Sequence, residues 1–200
     1  MIVKICGITN REDALAAAEA GASALGFNFY PGSPRYVTPE AAAAILAALP
    51  AGISKVGVFV NQPPERVTAL AGRLGLDVVQ LHGTQALAAG VRVWKALPVG
   101  PHFTLRQLEA WPAAEAFLLD TAQPDQHGGT GRTFDWTVTR GAARKLILAG
   151  GLDADNVREA IRAARPWGVD ACSRLEAAPG RKDYALMTRF IHAALSEAET

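Results

Sequence analysis

Eight short apolar runs recur along the chain of 200 residues, and a helical or helix-sized stretch follows each of them. The runs are Ile2–Cys6, Ala24–Phe29, Ile53–Val60, Val78–Leu81, Val91–Leu97, Ala116–Leu119, Lys145–Ala149 and Val169–Cys172. Strict strand-then-helix alternation predicts a parallel sheet with helices outside it. Eight units predict that the sheet closes into a (β/α)8 TIM barrel. An open, doubly wound sheet usually carries a G-x-G-x-x-G turn after its first strand. Here that turn reads Cys6-Gly7-Ile8-Thr9, with no second glycine. No Gly- or Ser-rich linker divides the chain, so residues 1–200 read as one compact barrel domain.

Start and stop signals place the helices. Asn10 caps a helix over Glu12–Ala20, which Gly21 stops. Thr38 caps Pro39–Leu49, with proline at the first helical position. Pro64–Leu74 reads as a helix, Asp153–Ala164 as one capped by Asp153, and Asp183–Glu197 as the closing helix. Thr104–Trp111 and Phe134–Arg140 read as short helices. The fourth unit is weak: Thr84–Ala89 allows a turn and a half, so the fourth helix is expected to be weak or missing.

Composition limits the function. With 20 basic and 19 acidic residues the net charge is +1, which gives no field for a nucleic acid. An anionic substrate must be held by local features. Two cysteines, Cys6 and Cys172, make no disulfide framework and have no ligand partner at metal spacing. A reducing, cytoplasmic setting is the simpler expectation. The opening stretch Met1–Gly7 lacks the apolar length of a signal peptide, and the apolar runs are too short for a membrane span.

In a barrel of this kind the strand C-termini and the loops after them carry the chemistry. Those positions are Cys6, Asn28, Arg35, Gln80, His82, Lys95, Asp120, Gly150 and Asp170. Alternation along a strand puts Lys4 and Ile2 on the same face as Cys6, and Leu118 on the face of Asp120. Cys6 could act as base or nucleophile, either of which needs the thiolate of a group with an ordinary pKa of about 8.5. Alone, it reads better as a small buried hydrophobe. Arg35 lies in a loop stiffened by Pro31 and Pro34 and suits a planar carboxylate, although most loop arginines are merely solvated. The clusters Gly128-Gly129-Thr130-Gly131 and Gly150-Gly151 could let backbone N–H groups approach a phosphate, or could be ordinary turns. Asp120 closes an apolar strand ahead of a long polar loop with no helix to cap, which favours a site role.

These stretches together resemble the phosphoribosylanthranilate isomerase family of tryptophan biosynthesis. Lys4-Ile5-Cys6-Gly7 looks like the family's opening motif and Gly26–Val37 its second-strand loop. Gln80-Leu81-His82-Gly83, Asp120 with Gly128–Gly131 and Phe134-Asp135-Trp136, Leu148–Leu152, and Val169-Asp170 with Ser173 and Glu176 follow in order. The resemblance implies an Amadori rearrangement of a phosphoribosyl substrate with no cofactor and no metal. It implies Asp120 as general acid and Cys6 as general base. It implies Arg35 for the substrate carboxylate, and Gly129, Thr130, Gly131, Gly150, Gly151 and Ser173 for the phosphate. Asp170 would orient the substrate, with His82 a further contact. Members of the family are monomers or homodimers.

The family pattern after the eighth strand usually reads Ser-Ser-Gly; here it is Cys172-Ser173-Arg174. Arg174 either blocks the phosphate pocket or adds a charge to it. Cys172 replaces a small polar residue beside Cys6, a position where it would be inert or open to oxidation. Two rivals remain. A phosphosugar isomerase of histidine biosynthesis would carry aspartate where Cys6 stands. A non-catalytic phosphate-binding barrel would not need Cys6, Arg35 and Asp120 together.

Overall fold

A computed structural model describes residues 1–84, 90–121 and 133–198. Eight parallel strands close into a barrel in sequence order: β1 (Ile2–Cys6), β2 (Ala24–Asn28), β3 (Ser54–Val60), β4 (Val78–His82), β5 (Arg92–Val99), β6 (Ala116–Thr121), β7 (Lys145–Leu148) and β8 (Gly168–Ala171). β8 returns to β1, with Lys4 opposite Asp170 and Ile5 opposite Ala171.

Strand alternation sorts the apolar residues into two layers. Ala24, Val56, Val78, Trp94, Ala96, Ala116, Leu118, Ile147 and Ala149 fill the lumen. Their sequence neighbours, among them Val3, Ile5, Leu25, Phe27, Phe59, Val79 and Leu81, pack outward against the helices. Burying one such side chain stabilises the fold by about 1.5–3 kcal/mol, and the outer layer holds most of them. Trp94 meets Trp167 edge-on at 5.7 Å and 88°, closing the lumen at the end where the strands begin.

The helices are α1 (Arg11–Glu19), α2 (Pro39–Leu46), α3 (Pro64–Leu74), α4 (Val157–Ala164) and α5 (Tyr184–Ala198). Asn10 and Thr38 cap α1 and α2 as expected, accepting from Asp13 N and Ala41 N. Asp153 does not cap α4. Its carboxylate accepts from Asp155 N and Asn156 N, so it organises a turn and the helix starts later, at Val157. Leu105–Ala110 and Trp136–Thr139 form 3₁₀ turns where short α-helices were expected. Pro112 ends the first, and the β-branched Thr137-Val138-Thr139 disfavours continuing the second. The expected fragment of a fourth helix falls largely on residues 85–89, outside the described residues. Where β4 turns towards β5, Lys95 clamps the chain by donating to Leu81 O at 3.2 Å and to Gly83 O. An antiparallel hairpin of β9 (Glu176–Ala178) and β10 (Arg181–Lys182) follows β8 and had no counterpart in the sequence reading.

Candidate active site

The lumen face of β1 carries Lys4 and Cys6. Lys4 is fully buried and its Nζ lies 2.7 Å from Asp170 Oδ1 on β8. A buried ammonium persists only with such a partner. Burial pulls the Lys4 pKa down, yet Asp170 and Cys6 outweigh it and hold the group above its ordinary value. Burial pushes the Asp170 carboxyl up to about 7, with Lys4 opposing.

A cavity of about 330 Å³ opens at the strand C-termini. Cys6, Arg35, His82, Asp120, Asp170 and Cys172 all border it. The structure thus brings together the residues singled out on strands one, two, four, six and eight. Lys95 is the exception among the strand-end residues. It faces outward, with Nζ 4.4 Å above the Trp111 ring, and burial lowers its pKa to about 8.

Asp120 is half-buried, with one carboxylate oxygen turned away from solvent. Burial raises its carboxyl to about 6; a backbone hydrogen bond from Thr121 and the charge of Lys4 oppose the rise, and Cys6 adds to it. Its Oδ1 is buried with no hydrogen-bond partner among the described residues. Such an oxygen suits a carboxyl that carries a proton or awaits one on a substrate. Gly150 backs directly onto it. At φ +83° Gly150 is in the left-handed region, and a Cβ there would come within 2.6 Å of Asp120 Oδ1 and 2.7 Å of Thr121 N. Gly150 therefore has a packing reason to be glycine as well as any binding one.

A hydrogen bond from Cys172 is the largest influence on Cys6. With Lys4 and Lys182 it holds the Cys6 thiol well below its ordinary pKa, against burial. Cys172 moves the other way, raised by the same hydrogen bond and by burial.

The loop after β2 is rigid for reasons visible in its side chains. Asn28 Oδ1 accepts from Tyr30 N at 2.9 Å, and Ser33 Oγ accepts from Asn28 Nδ2 and Arg35 N at 3.1 Å. Arg35 is not a free guanidinium. Its Nε and Nη2 grip Glu176 at 2.8 and 2.7 Å, and this hydrogen bonding holds its pKa further above the ordinary value. Glu176 also accepts from Lys182 Nζ at 3.1 Å, and Lys182 is buried too. Burial alone would raise the Glu176 carboxyl, but Arg35 and Lys182 hold it below the usual carboxylate range. Lys182 escaped the sequence reading altogether, because a lysine two residues past Gly180 reads as a solvated turn. Lys4 was placed by alternation alone, and Glu176 by resemblance alone.

Gly150, Gly151, Ser173 and Arg174 border a narrow cleft between the loops after β7 and β8, next to Asp120 and Asp170. Asn156 steadies it by donating to Gly151 O at 2.8 Å. Arg174 stands at its outer edge, 48% exposed, with Nε 3.3 Å from Asp153 Oδ2. It does not border the main cavity. His82 Nε2 lies 2.8 Å from Gln80 Nε2 on the cavity wall. Gly129, Thr130 and Gly131 fall outside the described residues. Among the described residues no cluster of His, Cys, Asp or Glu could hold a metal ion, and no helix is long and apolar enough to cross a membrane.

Comparison with known proteins gives one consistent result. The sequence profile described as N-(5'-phosphoribosyl)anthranilate (PRA) isomerase matches residues 3–193. The N-(5'-phosphoribosyl)anthranilate isomerase of Solibacter usitatus is 53% identical over 197 residues, covering 97% of each chain. A crystal structure of phosphoribosyl anthranilate isomerase in complex with reduced 1-(o-carboxyphenylamino)-1-deoxyribulose 5-phosphate is 41% identical, with a TM-score of 0.85. It covers 98% of this chain and 100% of its own. A crystal structure of monomers generated from the dimeric phosphoribosylanthranilate isomerase of Thermotoga maritima is 42% identical, with a TM-score of 0.83 and the same coverage.

Proposed function

The chain belongs to the N-(5'-phosphoribosyl)anthranilate isomerase family, and from that premise we propose how its own residues carry out the family's reaction in tryptophan biosynthesis. The substrate is N-(5-phosphoribosyl)anthranilate and the product 1-(2-carboxyphenylamino)-1-deoxyribulose 5-phosphate. Asp120 is the general acid. It gives its proton to the ribose ring oxygen as the C1–O bond breaks, and the nitrogen lone pair forms the C1–N double bond of an iminium. Cys6 is the general base. Its thiolate takes the proton from C2, and the C2–H electrons become the C1–C2 double bond while the iminium π electrons return to nitrogen. The resulting enolamine becomes the ketone when the C2 hydroxyl loses its proton and C1 gains one. The iminium nitrogen is the electron sink, so the reaction needs no cofactor.

The observation that carries this reading is the opposite displacement of the two groups. Asp120 is pushed up to about 6 and Cys6 held well below its ordinary value, across one cavity. An acid that keeps its proton and a thiol that loses it are what the two steps require. A related structure was solved in complex with reduced 1-(o-carboxyphenylamino)-1-deoxyribulose 5-phosphate, which supports the same substrate chemistry for this chain.

Arg35 offers the substrate carboxylate its remaining Nη1 edge, since Glu176 occupies the other. Gly129, Thr130, Gly131, Gly150, Gly151 and Ser173 receive the phosphate through backbone N–H groups, with Arg174 as an added cation at the edge. Asp170 orients the substrate's polar groups, and His82 lines the anthranilate side. Residues 1–200 act as one barrel domain, in the cytoplasm, as a monomer or homodimer. The dimeric Thermotoga maritima enzyme supports the second state, and two free cysteines suit a reducing compartment.

The test is loss of anthranilate-type fluorescence from freshly made substrate. Wild-type protein is expected to cause a rapid decay, and Cys6→Ser to lose at least about a thousandfold in kcat while keeping its circular dichroism spectrum. Near-normal turnover in Cys6→Ser removes Cys6 as the base.

A further inference from the structure

The mechanism leaves Cys172 without a task, although it stands where the family pattern leads one to expect a small polar residue. We propose that Cys172 is a positioning residue for Cys6: its S–H donates to the Cys6 sulfur and keeps that sulfur ionised and aimed into the cavity. The proposal rests on Cys6 being the base.

Register brings the two cysteines side by side. Ile5 lies opposite Ala171, so the next residue on each strand, Cys6 and Cys172, leaves the barrel rim beside the other. Both border the cavity, on its first and eighth strands. The backbone at Gly7 closes over Cys172, and a Cβ there would come within 2.8 Å of its Sγ and 2.7 Å of Arg35 Cδ. Neither thiol forms a disulfide.

Two adjacent sulfurs do not both ionise, because the second negative charge meets the first at close range in a desolvated site. The question is which keeps the proton. Lys4 stands two residues before Cys6 on the same strand face, and both crowd Gly26, where a Cβ would come within 2.7 Å of Cys6 Sγ and 3.1 Å of Lys4 Nζ, so its charge favours a Cys6 anion. Lys182 and Arg35 are the cations near Cys172; Lys182 Nζ, 3.9 Å from the Cys172 Sγ, already serves Glu176 at 3.1 Å and Cys172 O at 3.2 Å, and Arg35 is gripped by Glu176 at 2.8 and 2.7 Å. The charge therefore settles on Cys6 and the proton on Cys172.

The Cys172 proton has two acceptors to choose from. Glu176 Oε1 lies 3.9 Å from Sγ. That oxygen already accepts from Arg35 Nε at 2.8 Å, Lys182 Nζ at 3.1 Å and Gly180 N at 3.3 Å. A thiol adds little to an oxygen so fully occupied. The Cys6 thiolate is the better acceptor, and a hydrogen bond to an ion is roughly twice as strong as one between neutral groups. Serine, the residue expected from the family pattern, would supply the same donor.

The experiment follows the rate of Cys6 alkylation by iodoacetamide against pH, read on the Cys6 peptide by mass spectrometry. Wild type, Cys172→Ser and Cys172→Ala are compared after each is shown to melt cooperatively. Cys172→Ala is expected to move the midpoint up by about one pH unit or more, since one charge-assisted hydrogen bond is lost. Cys172→Ser is expected to move it by less than half as far. Coincident midpoints overturn the proposal, and so does an equal shift in the two variants, which would mean packing rather than donation. Infrared S–H stretching in the unmodified protein gives a second reading that does not depend on the alanine variant folding. At neutral pH one S–H band is expected, kept in Cys6→Ser and lost in Cys172→Ser. A band that disappears in Cys6→Ser places the proton on Cys6 and overturns the proposal. Normal turnover in Cys6→Ser would instead remove the base assignment, which is a separate result.

Discussion

Lys4 Nζ sits 2.7 Å from Asp170 Oδ1 across the seam where the last strand meets the first, and neither side chain is more than 8% exposed. Removing one partner of such a pair leaves the other charge buried alone, at a cost of about 3–5 kcal/mol. Lys4→Met should therefore lower Tm by roughly 10 °C or more. It should also cut turnover, because Cys6 loses a nearby positive charge. Lys4→Met with Asp170→Asn should regain much of the stability and little of the activity. Thermal melts and kcat on the single and double variants measure both.

Asp120 makes stability and activity fall together as pH rises through about 6. Its carboxyl titrates near 6 in the folded chain against an ordinary value of 3.8. A raised folded-state pKa contributes stability that is complete below the ordinary value and lost as pH rises through about 6. Asp120→Asn, which stays neutral, should thus be more stable than wild type at pH 8, by up to about 3 kcal/mol, and nearly equal to it at pH 4. The same titration predicts that kcat/KM of the free enzyme falls about tenfold per unit above pH 6, as the acid form is depleted. Urea melts at the two pH values and a pH–rate profile check the pair. An Asp120→Asn variant whose advantage over wild type is no larger at pH 8 than at pH 4 would show that Asp120 titrates as an ordinary carboxylate.

Glu176 holds Arg35 by a two-point grip, so the guanidinium is aimed before any substrate arrives. Arg35→Lys should raise KM by roughly tenfold or more, because an ammonium cannot satisfy Glu176 and a carboxylate with one planar fork. Glu176→Gln should raise KM as well, by freeing the arginine to wander, and should destabilise the fold by orphaning Lys182. Steady-state kinetics at constant ionic strength separate KM from kcat.

Arg174 is half exposed and tied to Asp153, so its loss should cost little stability. If it reaches the phosphate, Arg174→Gly should raise KM by roughly 3–10-fold and leave kcat alone. An unchanged KM over a range of salt concentrations puts the side chain outside the site.

The barrel was legible because its information is local and periodic. Eight apolar runs, Asn10, Thr38 and the glycines at helix ends each act within a few residues. Alternation carried one step further and put Lys4 and Ile2 on the face of Cys6, and Leu118 on the face of Asp120, faces that the fold turns towards the cavity and lumen. Taking polar residues near strand ends as site residues failed for Lys95, which faces outward to clamp a loop. The capping signal failed at Asp153, whose carboxylate found nearer N–H groups than those of the helix. What stayed hidden was the arrangement of Glu176, Lys182 and Arg35. The Arg35–Glu176 contact spans 141 residues, and the hairpin that delivers Lys182 has no periodic signature in so short a segment.

Trp94 and Trp167 pack edge to face in the lumen where the strands begin, so among the described residues the cavity over Cys6 and Asp120 opens at the strand C-termini. Whatever enters over Cys6 and Asp120 must go out the same way. Product therefore has to vacate before the next turnover, and it competes with incoming substrate for the same threshold. Any hand-over of product to another enzyme is therefore expected on the face where the chemistry is done.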